Sequence, residues 1–381
     1  MPLVLSVVAL VAFASLLVPR PLNAWGDHGH RLIGLVAATT MPADMPAFFR
    51  EAAPRLAYLN PEPDRWKNRA ERQRDLALEG GSSPEHFIDS DLVTSEPLAR
   101  ALAARDRWGF ADSLRAFGVS PQVMGVLPFT MLEYVSRLRN SFRLWRVAPD
   151  STVRAWIEQR IIDDAGLLGH YVADGSNPHH TTKHFNGWVG ENPRGYTTDA
   201  RFHGRFESQF VQAHVTEADL RAAATAAPQV FDNVRGAVVT YLQRTNQYVD
   251  SLHALDTATP FREESATPEQ KAFAVSRMAA GARLRDGLVV LAAPWCQCAR
   301  GTARGVRHSG GAAQHAARDR RRRDPRTAHR VAGAGGHVRT GAAAAHAAGC
   351  ACHPCGAFPH PRRLSPRRAG HPHRTHVSGA P

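Results

Sequence analysis

Residues 1–290 contain no cysteine, so no disulfide can staple that part of the chain. All five cysteines, Cys296, Cys298, Cys350, Cys352 and Cys355, lie beyond it. Sustained alternation of apolar and polar residues between turn signals is also missing, which argues against a sheet. No repeat of fixed period occurs, which excludes a solenoid or propeller. Beyond residue 295 the chain has no Lys, Ile or Tyr and almost no apolar periodicity. Such a segment cannot bury enough surface to fold.

What is present divides unevenly. The full chain carries a net charge of +13, yet residues 291–381 hold sixteen Arg against only Asp319 and Asp324. The first 290 residues are therefore close to neutral, and the overall basicity does not mark them as a nucleic-acid binder. Residues 291–381 read as a disordered basic tail. Their Arg/Ala/His/Pro/Gly bias is what a GC-rich gene gives out of frame, so a frameshift product is expected. A basic nucleic-acid arm, or a metal cluster at Cys350, Cys352, His353 and Cys355, are the functional alternatives. At the other end, Leu3–Val18 is an uncharged apolar run too short for a confident membrane span. Residues 1–24 read as a signal peptide cleaved after Ala24, making the protein secreted or periplasmic. A secreted domain without disulfides needs a sizeable core, bound metal, or both.

Residues 25–290 read as one multi-helix domain. Helical spacing runs through His30–Thr39, Val123–Trp145 and, after a cap at Asp150 or Ser151, on to about Asp174. Thr216 with Asp219 forms a capping-box pattern before a long helix through Leu220, Val230, Val238 and Leu242. Thr267-Pro268 with Gln270 opens the last helix. Residues 181–200 read as a long loop, and such loops are often functional.

The metal-binding residue types follow an order. Trp25-Gly-Asp-His-Gly-His30 comes first, then Asp64 in Pro61-Glu-Pro-Asp-Arg-Trp66 and His86 in Pro84-Glu-His-Phe-Ile-Asp89. His170-Tyr-Val-Ala-Asp174 leads to Pro178-His-His180, and His203-Gly-Arg-Phe-Glu207 follows the loop. His170 with Asp174, and His203 with Glu207, are four apart, so each pair shares a helix face and can grip one ion. Imidazole with carboxylate suits zinc better than calcium.

This order resembles the zinc-dependent superfamily of phospholipase C and single-strand-specific nucleases of the fungal and plant type. The resemblance covers about residues 25–290 and implies an all-α domain with a trinuclear zinc cleft. It places Trp25, His30 and Asp174 on one zinc, with the free amine and carbonyl of Trp25 as donors. Asp64, His86, His170 and a bridging Asp174 hold the second, and His180, His203 and Glu207 the third. It also places Asp64 to orient or deprotonate the attacking water. Where the family usually has His-Gln-Pro-Leu-His, this chain has Ser176-Asn-Pro-His-His180. Spacing from Asp174 favours His180, with His179 beside it as the alternative. His28, His179 and His184 are otherwise read as bystanders.

The implied function is metal-assisted hydrolysis of phosphate esters. Glu207 matches the phospholipases, whereas the short Trp25-to-His30 spacing matches the nucleases. The reading is a single-strand-preferring endonuclease or nucleotidase acting on nucleic acid or nucleotides, with Phe185, Trp188 and Tyr196 as candidate base-stacking aromatics. The alternatives are a phospholipase C acting on phospholipid and a non-catalytic periplasmic zinc-binding protein. A monomer without a protein partner is expected.

Overall fold

Side-chain caps set where the long helices begin. In the computed structural model, which describes residues 25–293 apart from 68, 76, 78–81, 227 and 230, Asp150 accepts from the Val153 amide at 2.8 Å and opens a 24-residue helix. Thr267 and Gln270 form a reciprocal capping box at the helix start expected there. The expected signal peptide and the tail from residue 294 lie outside the described residues.

Among the described residues the architecture is all-α. The principal helices are α1 (Gly26–Thr39), α2 (Ala53–Leu59), α3 (Leu127–Arg146), α4 (Ser151–Asp174), α5 (Val234–Asn246), α6 (Val249–Ala258) and α7 (Pro268–Ala292). Helix α4 packs against α1, α2, α3 and α7, so it is the central element. No helix among the described residues is long and apolar enough to cross a membrane.

Two apolar clusters form the core. One gathers α3 and α4 around Phe49, Phe110, Leu138, Phe142 and Ile161. The other gathers Trp25, Phe202, Phe206, Phe210 and Phe261 against α1 and α7. The last turns of α4 lie where they meet: Val172 belongs to the first cluster and Ala173 to the second. Every residue from Leu168 to Asp174 is buried. Full burial on all sides suits the C-terminal end of a helix that must hold polar side chains away from water.

Two expectations about helices need correcting. The long helix expected after Thr216 is split: Glu217–Ala223 is helical, and α5 starts only at Val234. Pro228 lies between, and a proline interrupts a helix by removing an amide donor and crowding the preceding turn. Asn233 then caps α5 by accepting from the Gly236 amide at 3.0 Å. The helix expected from Val123 starts instead at Leu127, behind Gly125 at φ 82° and ψ 164°. There a side chain would meet the Phe87 carbonyl. That approach lets the Leu127 amide bond Phe87 O at 3.2 Å and Val126 bond Pro84 O at 2.7 Å, which pins the turn carrying His86.

Candidate metal centre

His170 and Asp174 leave α4 on one face, as their spacing requires. Around them the chain brings His30 from α1, Asp64 from the turn Glu62–Arg65, and His86 from the 3-10 turn Ser83–His86. His30 Nε2 is 3.4 Å from Asp174 Oδ1 and 3.9 Å from Asp64 Oδ2. His86 Nδ1 and His170 Nε2 lie 2.9 and 3.2 Å from Asp174 Oδ2, and both are 3.8 Å from Asp64 Oδ1. Asp174 therefore faces three imidazoles at once. Burial works to raise its pKa, but His170 and His180 overcome that and hold it well below the usual carboxylate range.

The third acid closes a second group. Glu207 Oε2 is 2.8 Å from His203 Nε2 and 3.6 Å from His180 Nε2. The expected plain helix at 203–207 is in fact a short helical turn running into a π turn, Arg205–Phe210. Such turns recur at functional sites. Glu207 also accepts from Asn177 Nδ2 and from the Trp25 amide, both at 3.1 Å. Burial works to lower the pKa of His180, yet the charges of Asp174 and Glu207 win and hold it up at about 9.

Three sets of donor atoms lie within 4.8 Å of one another and can hold a metal ion: His30, His170 and Asp174; Asp64, His86 and His170; His180, His203 and Glu207. The donors fit a metal on their own evidence. His30 Nε2, Asp64 Oδ2 and Asp174 Oδ1 are buried with no hydrogen-bond partner, and they converge on one another. An unpartnered buried polar atom costs about 1–3 kcal/mol, more if charged, and a cation ligated by these atoms would offset that cost. Ring nitrogens also face each other: His170 Nε2 and His86 Nδ1 are 2.9 Å apart, His203 Nε2 and His180 Nε2 3.2 Å. Ring nitrogens held this close to one another fit joint ligation of a cation.

Trp25 is fully buried. Its indole donates to Ala173 O at 2.7 Å, and it has the one positive φ, 46°, among the described non-glycine residues. Its backbone nitrogen meets Glu207, which belongs to the third of these sets. His180, not His179, joins that set; His179 packs between the rings of Phe202 and His203, both at 4.7 Å. His28 is bonded to Val215 O, and His184 stacks on Trp188 at 3.8 Å. Of the three loop aromatics, Trp188 is tied to Glu191 O and Tyr196 is buried. Phe185 is exposed, 6.1 Å from the His203 ring.

Sequence reasoning passed over two residues. Lys67, three after Asp64, places Nζ 2.6 Å from Asp64 Oδ1 with its side chain 24% exposed. Position i+3 on the Asp64 turn was the available signal. Asn60 accepts from His30 Nδ1 at 2.9 Å, which turns His30 Nε2 towards the acids. It fits because Gly169 on α4 has no Cβ, which would collide with the Asn60 amide. That contact spans a hundred residues of sequence and carries no local signature.

No protein-family model and no curated protein matches the chain. Among solved structures, the crystal structure of Clostridium perfringens alpha-toxin from avian strain SWCP aligns at 11% identity and a TM-score of 0.34. The alignment covers 72% of this chain and 64% of the toxin, so the chain spans less than two thirds of that protein's length.

Proposed function

We propose that this protein is a zinc-dependent phosphodiesterase, and that single-stranded nucleic acid or nucleotides are its substrate. The observation that carries the reading is the convergence of three carboxylates and five imidazoles, with unpartnered acceptor atoms, at the buried end of α4. Imidazole–carboxylate donor sets suit zinc. His30, Asp64, His86, His170, Asp174, His180, His203 and Glu207 would hold up to three ions, with the amine of a processed Trp25 as a further donor. Bound zinc supplies a low-pKa water and offsets phosphoryl charge.

The chain's own residues do the rest. Asp64 would orient the attacking water from beside the ion it helps to hold, with Lys67 Nζ 2.6 Å from its Oδ1. Lys67 brings a fixed positive charge to the same carboxylate, and it would offset charge on phosphoryl oxygens bound beside it. Asn60 and Asn177 orient His30 and Glu207. Phe185, 38% exposed, and Trp66, 43% exposed and two residues from Asp64, offer ring faces on which unpaired bases stack. These rings favour nucleic acid. The second reading, a phospholipase C, rests on glutamate rather than aspartate at position 207.

The test is elemental analysis with activity assays on single-stranded DNA, RNA and phosphatidylcholine, with and without chelator. The reading expects two to three zinc ions and chelator-sensitive cleavage of the single strands. Cleavage of phosphatidylcholine alone would transfer the assignment to the second reading. Zinc without any hydrolysis would leave a metal-binding protein, and no zinc would remove both.

A further inference from the structure

Arginines in this molecule commonly meet acids: Arg55, Arg65, Arg107 and Arg205 each lie within salt-bridge distance of a carboxylate. Arg244, Arg277 and Arg283 do not pair with any carboxylate among the described residues. All three line a groove of about 940 Å³ between α5 and α7, with Asp232 as the one acid in the lining. The helical spacing explains the convergence. Arg277, Ala280 and Leu284 share a face of α7, and Gly236, Thr240 and Arg244 share a face of α5. Small residues at 236, 237 and 280 keep the groove open. It shares no lining residue with the candidate metal centre.

The two α7 arginines are held rather than free. The Arg277 guanidinium lies 3.6 Å from the Tyr248 ring centroid, and its Nε donates to Ser276 Oγ at 3.2 Å. Arg283 Nη1 donates to Ala223 O at 3.0 Å. Both side chains are half-buried. Burial pulls Arg277 below the ordinary arginine value, and the neighbouring Arg283 adds to the effect. Two half-buried like charges without a counterion repel and have lost solvation. A ligand of opposite charge relieves both costs. Guanidinium forks match phosphate oxygens in paired hydrogen bonds, and stacking on an aromatic ring fixes the fork beforehand. A phosphomonoester carries about −1.5 to −2 charge near neutral pH with three acceptor oxygens, which balances two cations where a carboxylate balances one.

We propose that the groove between α5 and α7 is a second ligand site, for a phosphate-bearing anion gripped by Arg277 and Arg283 with Arg244 at the rim. It stands independently of the phosphodiesterase reading. The ligand is orthophosphate itself or the phosphate of a nucleoside monophosphate; the groove of about 940 Å³ leaves room beyond a phosphate that only the second can fill.

Full-length, metal-loaded protein is titrated by calorimetry with orthophosphate and with AMP, beside Arg277→Gln/Arg283→Gln. The expected result is one fewer bound equivalent in the double variant, or about tenfold weaker binding at that site, with metal content unchanged. AMP binding tighter than orthophosphate identifies the nucleotide; equal affinity identifies the phosphate alone. Hydrogen exchange on the wild-type chain provides a readout that does not depend on the variant folding. Phosphate should slow exchange in both Val234–Asn246 and Pro268–Ala292. Identical binding by wild type and variant, or no slowing in either helix, overturns the proposal.

Discussion

Asp174→Asn removes one charge from the most constrained point of the molecule. The Asp174 carboxylate lies 2.9–3.4 Å from His86, His170 and His30, and its side chain has no solvent exposure. Asparagine keeps the shape but replaces one acceptor oxygen by a donor group. At least one imidazole nitrogen then faces an NH₂ group or loses its charged partner. Removing one member of a buried charged cluster costs roughly 3–5 kcal/mol. If about 4 kcal/mol of that falls on the transition state, turnover drops about a thousandfold, since each 1.36 kcal/mol is tenfold. Zinc content should fall by at least one ion, because two of the three donor sets use α4 side chains that Asp174 orients. Glu207→Asp is the control. It keeps the charge and withdraws the carboxylate by about one bond length, roughly 1.5 Å, from Trp25, Asn177 and His203. It should keep partial activity, down by about one to two orders of magnitude. The assays are turnover on a single-stranded substrate and metal content of the purified variants. An active Asp174→Asn with a full metal complement, beside a dead Glu207→Asp, would refute the ligand assignment.

Three other outcomes are expected. A chain beginning Met-Trp25 should lose activity and one zinc that a chain beginning at Trp25 keeps, since the Trp25 nitrogen already lies 3.1 Å from Glu207; equal zinc content in both removes Trp25 from the site. Gly125→Ala should destabilise the fold by about 3 kcal/mol or more, combining a glycine-only backbone with a clash on the Phe87 carbonyl; a loss under about 1 kcal/mol in urea unfolding contradicts this. Asp286 is raised by burial to about 7 from 3.8, against the pull of Arg285 at 3.6 Å and Thr40 at 2.5 Å. Its folded form holds the proton more tightly than the unfolded chain, so this contribution is complete below the ordinary aspartate value and is lost as pH rises towards 7. Wild type should therefore lose roughly 2–4 kcal/mol relative to Asp286→Asn between about pH 4 and 8; parallel stability curves would show that Asp286 does not titrate in this window.

The sequence carried the helical class because amphipathic spacing and caps are local. Asp150, Thr216 and Thr267 each cap where their side chains suggested. The candidate donors gather into groups, and two of the pairs, His170 with Asp174 and His203 with Glu207, are legible in the sequence as residues four apart. What it missed depends on distant packing. Asn60 acquires its role only when α4 brings Gly169 against it. The π turn at Glu207 leaves no trace in a spacing of four. Trp188 and Tyr196 look like a binding surface in the sequence, but the loop folds them onto His184 and His253. An aromatic in a loop is equally useful as an anchor, and only burial separates the two uses.

The arrangement at the end of α4 follows from charge as much as from packing. Asp64, Asp174 and Glu207 are all nearly or completely buried, and among the described residues Lys67 is the lysine placed against Asp64. Three buried carboxylates with a single ammonium are a poor way to hold a helix end by themselves, since desolvated charge is costly unless balanced. Apolar residues of similar size would pack the seam between the two clusters more stably. The acids are tolerated there because the surrounding core fixes them: Trp25, Phe202 and Phe206 on one side, Tyr171 and Val172 on the other. Once their positions are fixed, they cannot relax away from one another, and a divalent cation is the species that offsets the largest charge in the smallest volume. On the proposed reading, the same rigidity would favour ions that accept imidazole beside carboxylate. On that reading, the two apolar clusters would spend folding energy on holding these donors at their junction, and metal ligation would supply the cross-links that a cysteine-free stretch of 290 residues lacks.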